Sequence, residues 1–574
     1  MGAPKYLAIT ISGAVSLGSY EAGAMFQVLD AIRQHNEHVQ QTGAGDPIYV
    51  DVITGASAGG MTASILARKL LLDGPAFKGA DSNPLYDTWV KRIDLSELIG
   101  TTEKPLNDVT DPARLSLLSS SLIATIAEET LQATVDGRVS DNGPHAVIDP
   151  SRGIRLGLAL TNLTGINYGQ TMADGSNFAY TDFSDQMLRN LTPQRDPGDR
   201  TWRDKHDLET WKELSGASVA CGAFPGAFRA QDLERSYEDY QDDAPVGWSG
   251  GSKTFTYTDG GVLQNQPLGM AKNLVDDLDH HQNADRRFYL FVSPHPMDNR
   301  ASSDLNADSS TILHILERLV SIYMGQAVFR DWVQADSVNH QIKLLDFRAT
   351  QLTGQLTSAT TVLDPAQLIV VAQQILTLLY VNDGGVASMA ADSQRLTKQY
   401  AAEVELLGGA ADPRAQAMLL TIQALEKGAN LGQRDYMHIY GVVVDPKILA
   451  GAGIAAFVGF FSEAYRQHDY DCGRQKALEL LAKINSAPAG QATLGPIHFE
   501  KPTDISIQSA LNGLTLKNIQ AAKVELFREG AIRRVNQILS EELGNPLERY
   551  PAQLGADLLL RAILGWEFSR DVQS

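Results

Sequence analysis

The chain has 574 residues, of which 43% are hydrophobic and 20% are charged, a balance typical of soluble globular proteins and not of disordered or fibrous ones. Because a single hydrophobic core stops growing at about 250 to 300 residues, this length predicts two domains. Asp and Glu outnumber Lys and Arg by 68 to 48, which leaves a formal net charge of −20. Such a surface repels phosphate backbones and anionic lipid, so we expect no nucleic-acid partner and a neutral or zwitterionic substrate.

The first half of the chain alternates strand-like and helix-like segments, a pattern typical of layered α/β folds. A helix is predicted from residue 19 to 33, and a second helix directly after Ser57, because apolar residues recur there with a helical period. Strands are predicted at residues 6–12, 49–54, 154–163, 253–258 and 287–293.

The second half has a different texture. A polar stretch at 299–311 is followed by helical patterns at residues 312–332, 365–380, 390–407, 414–427, 476–484 and 516–539. We therefore predict an α/β domain over residues 1–300 and a mostly α-helical region over residues 301–574.

Two apolar or amphipathic segments bear on membranes. Ile448–Phe461 spans 14 residues, fewer than the ~20 that a membrane-crossing helix needs, and is predicted to be a buried helix, with a lipid-facing or acyl-pocket role as the alternative. Residues 523–539 fit a solvated helix packed on its own domain, and a membrane-surface helix is the alternative. Peripheral membrane contact is therefore compatible with the sequence, whereas the oligomeric state is not determined by it.

Neither a disulfide framework nor a metal site is predicted. Cys221 and Cys472 lie far apart and form no CxxC pair, so a reducing, cytoplasmic location is the simplest expectation. The acidic run at 234–243 lacks the D-x-D-x-D-G spacing of a calcium loop. Residues 5–24 mimic a signal peptide, but one preceding basic residue, Lys5, and the charged Glu21 argue against that interpretation. We expect no cofactor.

The pattern G-x-S-x-G occurs twice, around Ser57 and around Ser249. A nucleophilic serine of this kind needs a strand before it and a helix after it, so that the turn lifts the hydroxyl towards the helix N-terminus. Ser57 meets both conditions and has the small neighbours Gly55 and Gly59, whereas Ser249 follows a loop-like stretch and leads into a strand. Ser57 is the candidate nucleophile, with a purely structural tight turn as its alternative.

The candidate base is a carboxylate. Asp259 ends a predicted strand and is followed by two glycines, although such a sequence alone often marks only a turn. His295 and His468 are the least implausible histidine bases, but neither has a supporting motif, and a structural role explains each of them better. The segment from Gly13 to Gly18 lies between a strand and a helix, where backbone N–H groups converge and can hold an oxyanion.

These pieces, in this order, resemble the patatin-like phospholipase family. The oxyanion loop matches Gly13, Ala14, Val15 and Gly18, the nucleophile matches Ser57, and the base matches Asp259. The segments GSYEAGAM, SGASVACGAFPGAF and NQP agree as well, and the resemblance covers about residues 5 to 295. The remainder is only loosely similar to the helical extensions of larger bacterial members, with YRQHDYDCGRQ as its best-matching segment.

The resemblance implies a patatin-like layered fold with a mostly parallel sheet and a metal-independent Ser57/Asp259 dyad. The implied reaction is hydrolysis of fatty-acyl esters such as those of phospholipids. One departure stands out: the family loop reads G-G-G-x-[KR]-G, but Ala14, Val15 and Leu17 replace two glycines and the basic residue. An acyltransferase with the same dyad, and a lipid- or protein-binding scaffold with impaired catalysis, remain alternatives.

Overall fold

The described part of the chain forms two compact units. The first comprises the described residues within 1–278, 285–331 and 438–574, and the second those within 279–284 and 332–437. The computed structural model describes residues 2–100, 116–132, 143–171, 177–195, 202–204, 207–243, 245–279, 286–295, 340, 343–358, 363–380, 385–428, 437–488, 493–514, 519, 523, 527, 529–531 and 533–534.

A mixed sheet forms the centre of the first unit. Its strands are β1 (Lys5–Ile11), β2 (Ile48–Gly55), β3 (Ile154–Thr171), β4 (Asn177–Leu191), β7 (Gln231–Ser236), β8 (Ser252–Asp259), β9 (Arg287–Ser293) and β10 (His438–Val443). A separate pair, β5 (Pro193–Arg195) and β6 (Trp202–Asp204), lies outside this sheet. β9 is buried along its whole length, as expected for a strand covered on both faces.

The strands are ordered β10-β9-β1-β2-β3-β8-β7, and β4 pairs with β3. β10, β9, β1, β2 and β3 are parallel, whereas β4, β8 and β7 join through antiparallel pairs. Because β1 and β2 are parallel neighbours, the loops that leave their carboxyl ends meet at the same edge of the sheet.

Helices flank the sheet of this unit. Those used below are α1 (Gly18–Thr42), α2 (Ala58–Leu72), α3 (Ser120–Leu131), α4 (Asp207–Cys221), α5 (Leu268–Asp279) and α6 (Glu463–Asn485); short helices cover 84–86, 95–99 and 453–456. α6 lies directly against α1, because a side chain on Gly23 would overlap the backbone of Tyr470 and one on Gly473 would overlap the backbone of Tyr20.

The second unit is helical over its described residues, with helices at 343–357, Pro365–Leu379, Gly385–Gln399, Ala401–Leu406 and Pro413–Gly428. Its core includes Leu396, Tyr400 and Met418. The helix predicted at 312–332 and most of that predicted at 516–539 lie outside the described residues, as does the predicted boundary itself.

The predicted α/β class, with a mostly parallel sheet followed by a mostly helical region, is confirmed. The two compact units do not follow the division expected near residue 300, because β10 returns to the sheet beside β9. Both faces of the first half of β4 are mostly exposed, so its sequence shows no alternation of apolar and polar residues. The sequence therefore did not predict this strand.

The prediction of one buried helix over 448–461 is wrong in form, although six of its apolar side chains are buried. The segment folds into 3-10 turns at Pro446–Ile448 and Val458–Phe461 around a four-residue helix. Ala456 has a φ of 66°, and polar side chains of α6 bind the backbone groups that a continuous helix would use internally. The buried side chains are those of Leu449, Ala450, Phe457, Val458, Phe460 and Phe461.

Candidate active site

Ser57 occupies the sharp turn between β2 and α2. Its backbone has a φ of 52° and a ψ of −130°, a conformation that non-glycine residues rarely adopt and that stores strain. The turn is tight because a side chain on Gly59 would overlap the carbonyl oxygens of Ile11 and Ser12, and one on Gly55 would overlap the backbone of Gly59. The helix that begins at Ala58 therefore directs its positive end towards the Ser57 hydroxyl.

Asp259 faces Ser57 from the end of β8. The Ser57 hydroxyl donates a hydrogen bond of 2.6 Å to Asp259 Oδ2, and the Gly261 N–H donates one of 2.7 Å to Oδ1. The Asp259 N–H donates to the carbonyl oxygen of Ala223 at 3.0 Å, which fixes the backbone of this residue. Burial raises the pKa of Asp259 to about 7 in spite of the two hydrogen bonds, which favour the ionised form. The carboxyl is thus a base poised near neutral pH.

The loop from Gly13 to Gly18 lies against Ser57. A Cβ built on Gly13 would stand 3.0 Å from the Ser57 Cβ, so the two backbones approach closely. The Gly13 N–H is already bound to the carbonyl oxygen of Asn265 at 3.0 Å. Among the hydrogen bonds of the described residues, the N–H groups of Ala14 and Val15 have no acceptor. These two donors are therefore chemically available to an anion.

Val15 is one of the residues that replace glycine in this loop. Its φ is 52°, in the left-handed region that favours glycine and that a β-branched residue adopts only under constraint. Gly18 has an ordinary helical φ of −51° and begins α1, a helix of 25 residues whose positive end lies at the loop.

Two buried groups lie behind the dyad and the loop. Cys221 is inaccessible to solvent, and burial raises the pKa of its thiol well above the usual value, with the nearby Asp259 carboxyl adding to the effect. Glu21 is also inaccessible; burial raises its pKa well above the usual value, and Ser12 donates a hydrogen bond of 3.3 Å to it. Because of its raised pKa, the Cys221 thiol is held protonated and is not a nucleophile at neutral pH.

The other candidates do not meet the dyad. His468 donates to the carbonyl oxygen of Ile448 at 3.0 Å and accepts from the Gln508 N–H, and the N–H of His295 binds the hydroxyl of Ser293. Ser249 lies exposed in a loop before β8.

The described residues contain neither a candidate metal site nor a candidate membrane-spanning helix. No group of three or more His, Cys, Asp or Glu side chains there could hold a metal ion. No helix in this part of the chain is both long and apolar enough to cross a bilayer.

Residues 9–272 match the family model of patatin-like phospholipase. The chain contains a patatin-like phospholipase domain. Members of this family are serine esterases and phospholipases. An uncharacterized protein, y4iI, of Sinorhizobium fredii (strain NBRC 101917 / NGR234) is 24% identical over 390 residues, covering 56% of this chain and 54% of that protein. The chain thus spans about half the length of the relative that it matches.

The patatin-like domain has neighbours that sequence reasoning did not assign to the site. The hydroxyl of Ser16 donates to the carbonyl oxygen of Ala456, so residues far along the chain contact the loop. The ring of Phe224, next to Ala223, meets the ring of Phe457 with a centroid separation of 6.0 Å. Two sequence signals concern this region: the acyl-pocket alternative for Ile448–Phe461, and the motif YRQHDYDCGRQ, for which the sequence indicated no role.

Proposed function

We propose that the chain hydrolyses fatty-acyl esters of lipids, with Ser57 as the nucleophile and Asp259 as its general base. The observation that carries this proposal is the 2.6 Å hydrogen bond from the strained Ser57, directly before α2, to a buried carboxylate. A serine hydroxyl at its own pKa is a poor nucleophile, and a base within hydrogen-bond distance removes that limit. A dyad and not a triad is proposed, because no histidine side chain among the described residues bonds to either group.

The chemistry follows from the positions of the groups. Asp259 takes the Ser57 proton as the hydroxyl oxygen attacks the ester carbonyl carbon, and the carbonyl oxygen becomes an anion. The N–H groups of Ala14 and Val15, together with the positive ends of α1 and α2, would stabilise that anion. The leaving alcohol accepts the proton from Asp259, and water activated by the same carboxylate then releases the fatty acid from Ser57.

The surroundings favour a neutral, apolar acyl substrate. Phe224 and Phe457 place aromatic surface beside the backbone that holds Asp259, and the reaction requires no metal. The net charge of −20 disfavours anionic head groups. A zwitterionic phospholipid or lysophospholipid is therefore the substrate class that we propose.

Turnover of a lysophospholipid and of a short-chain nitrophenyl ester tests the proposal. Ser57→Ala and Asp259→Asn should each lower kcat by about 10³-fold or more, because each removes a group that acts as one unit with the other. Ser249→Ala, which changes the other G-x-S-x-G serine, is the matched control and should leave turnover unchanged. Products separate hydrolysis from acyl transfer: free fatty acid is expected, and a diacyl product would favour the transferase. Undiminished turnover in Ser57→Ala would overturn the proposal.

A further inference from the structure

A segment from the far end of the chain lies directly against the oxyanion loop. The hydroxyl of Ser16 donates to the carbonyl oxygen of Ala456, and a Cβ built on Gly459 would stand 2.5 Å from the Ser16 Oγ. A Cβ built on Gly451 would stand 3.0 Å from a methyl group of Leu17. We call residues 448–461 the backing segment. It touches the loop through its own backbone at both ends and in the middle.

Three buried side chains of α6 hold this backing segment. Asp469 accepts hydrogen bonds from the N–H groups of Ala450 and Gly451 at 2.7 and 2.8 Å. His468 donates to the carbonyl oxygen of Ile448 at 3.0 Å.

The third side chain binds the other end of the segment. Arg466 donates to the carbonyl oxygens of Gly459 and Phe460 at 3.1 and 3.2 Å. Arg466, His468 and Asp469, here called the clamp, are each at most 1% exposed and belong to the motif YRQHDYDCGRQ. Each clamp residue binds backbone groups, so the clamp fixes the path of the segment and not only its depth of burial.

Backbone strain converges on the same place. The non-glycine residues with positive φ in the described chain are Val15, Ser57 and Ala456. Strained residues of this kind persist only where their surroundings over-determine them. Ser16, next to Val15, bonds to Ala456, so the strained loop and the strained segment support each other. The loop lacks the glycines that would relax it, and the clamp supplies an external constraint instead.

We propose that Arg466, His468 and Asp469 are positioning residues for the oxyanion loop, acting through the backing segment on the backbone at Ala14 and Val15. This inference rests on the proposed function for its catalytic consequence, but the positioning itself is a property of the loop. The carboxyl-terminal region thereby contributes to the hydrolase site although it supplies no reacting group.

Asp469→Asn tests this role, with Asp471→Asn as the matched control. Asp471 is a buried carboxylate two residues further along α6, but it bonds to Arg474 and the Ser506 N–H and not to the backing segment. An asparagine at 469 presents an amide N–H to one of the two backbone donors. Asp469→Asn should lower kcat by about 10- to 100-fold on both a short and a long acyl ester, with KM within about twofold. Asp471→Asn should leave kcat near that of the wild type.

Amide hydrogen exchange read on a peptide covering residues 12–20 supplies a readout that does not depend on activity. Exchange should be faster in Asp469→Asn than in Asp471→Asn, because the clamp no longer holds the loop. Gly459→Ala is a second variant with a smaller change, since its added methyl group meets Ser16, and it should also raise exchange in this peptide and lower kcat.

Equal exchange at 12–20 in Asp469→Asn, Gly459→Ala and Asp471→Asn would overturn the positioning role, whatever the turnover. A rise in KM confined to the long ester would overturn it as well, because that result describes an acyl-pocket wall. A wild type without Ser57-dependent turnover would overturn the proposed function, while the exchange comparison would still decide the positioning role.

Discussion

At the scale of a single residue, two opposing effects act on the pKa of Asp259. Its carboxyl is 1% exposed, and burial raises its pKa to about 7, while hydrogen bonds from Ser57 and Gly261 favour the charged form. In the proposed mechanism only the ionised carboxylate can take the proton of Ser57. The residue is therefore switched on and off within the neutral range, without a histidine.

The pH dependence of kcat/KM follows from this balance. Activity should rise as pH increases through about 7, because the base loses its proton there, and should level off above it. Initial rates on the short-chain ester between pH 5 and 9 measure this rise of activity with pH. Burial also raises the pKa of Asp469 to about 7, so Asp469→Asn is the control that excludes this second carboxyl as the source of the pH dependence. This variant should be slower than the wild type, but its activity should still rise through about pH 7. A flat profile from pH 5 to 7 would contradict the role of Asp259.

At the scale of elements, the turn between β2 and α2 depends on an approach that a side chain would block. Gly59→Ala would place a methyl group against the carbonyl oxygen of Ile11, the last residue of β1, and against that of Ser12, the residue after it. Overpacking of this kind costs about 1 to 3 kcal/mol, so the free energy of unfolding of the first unit should fall by that amount. Denaturant titration followed by near-ultraviolet circular dichroism measures the loss.

Gly354→Ala makes the same change in open space. Gly354 lies exposed within the helix at 343–357, and an added Cβ would meet nothing within 4 Å. Alanine has a higher helix propensity than glycine, so the free energy of unfolding of the second unit should rise by about 0.5 to 1 kcal/mol. If the free energy of unfolding fell in both variants, steric overlap at Gly59 would not be the cause of the destabilisation in Gly59→Ala.

The parts of the candidate site that are local in sequence could be proposed from the sequence. The strand, small residues and helix around Ser57 lie within 25 residues, and Asp259 stands where a strand meets two glycines. The clamp could not be predicted in the same way, because Asp469 binds the backbone of Gly451, and the backing segment in turn contacts Ser16, which lies some 450 residues earlier in the chain. A buried polar side chain on a helix looks, in sequence, like one facing solvent.

The same limit explains the segment at 448–461. Its apolar residues correctly indicated burial, but its glycines and the side chains of α6 favour short turns over a continuous helix. β10 was missed because its residues are mostly half-buried and its partner β9 lies about 150 residues away in the chain.

At the scale of the whole molecule, the carboxyl-terminal residues complete the first unit. β10 pairs with β9, Lys5 donates to the carbonyl oxygens of Thr493 and Gly495 at 2.9 Å, and α6 lies along α1. A chain that ends before His438 would expose the edge of β9 and the buried face of α1.

Truncation at residue 437 should therefore abolish the cooperative unfolding transition of the first unit and raise its sensitivity to limited proteolysis. The full-length Ser57→Ala variant is the control for a chain that is inactive but folded. A truncated chain with native near-ultraviolet circular dichroism and an unchanged transition would contradict this dependence.

The central claim is that Ser57 is the residue that carries the acyl group, activated by Asp259. Reaction with a fluorophosphonate probe, followed by mass spectrometry of the proteolytic peptides, locates the modified residue directly. One label on the peptide that contains Ser57 is predicted for the wild type, with no label in Ser57→Ala and labelling slowed by at least about 10²-fold in Asp259→Asn. Equal labelling of the wild type and Ser57→Ala, or a label on the peptide that contains Ser249, would contradict the claim.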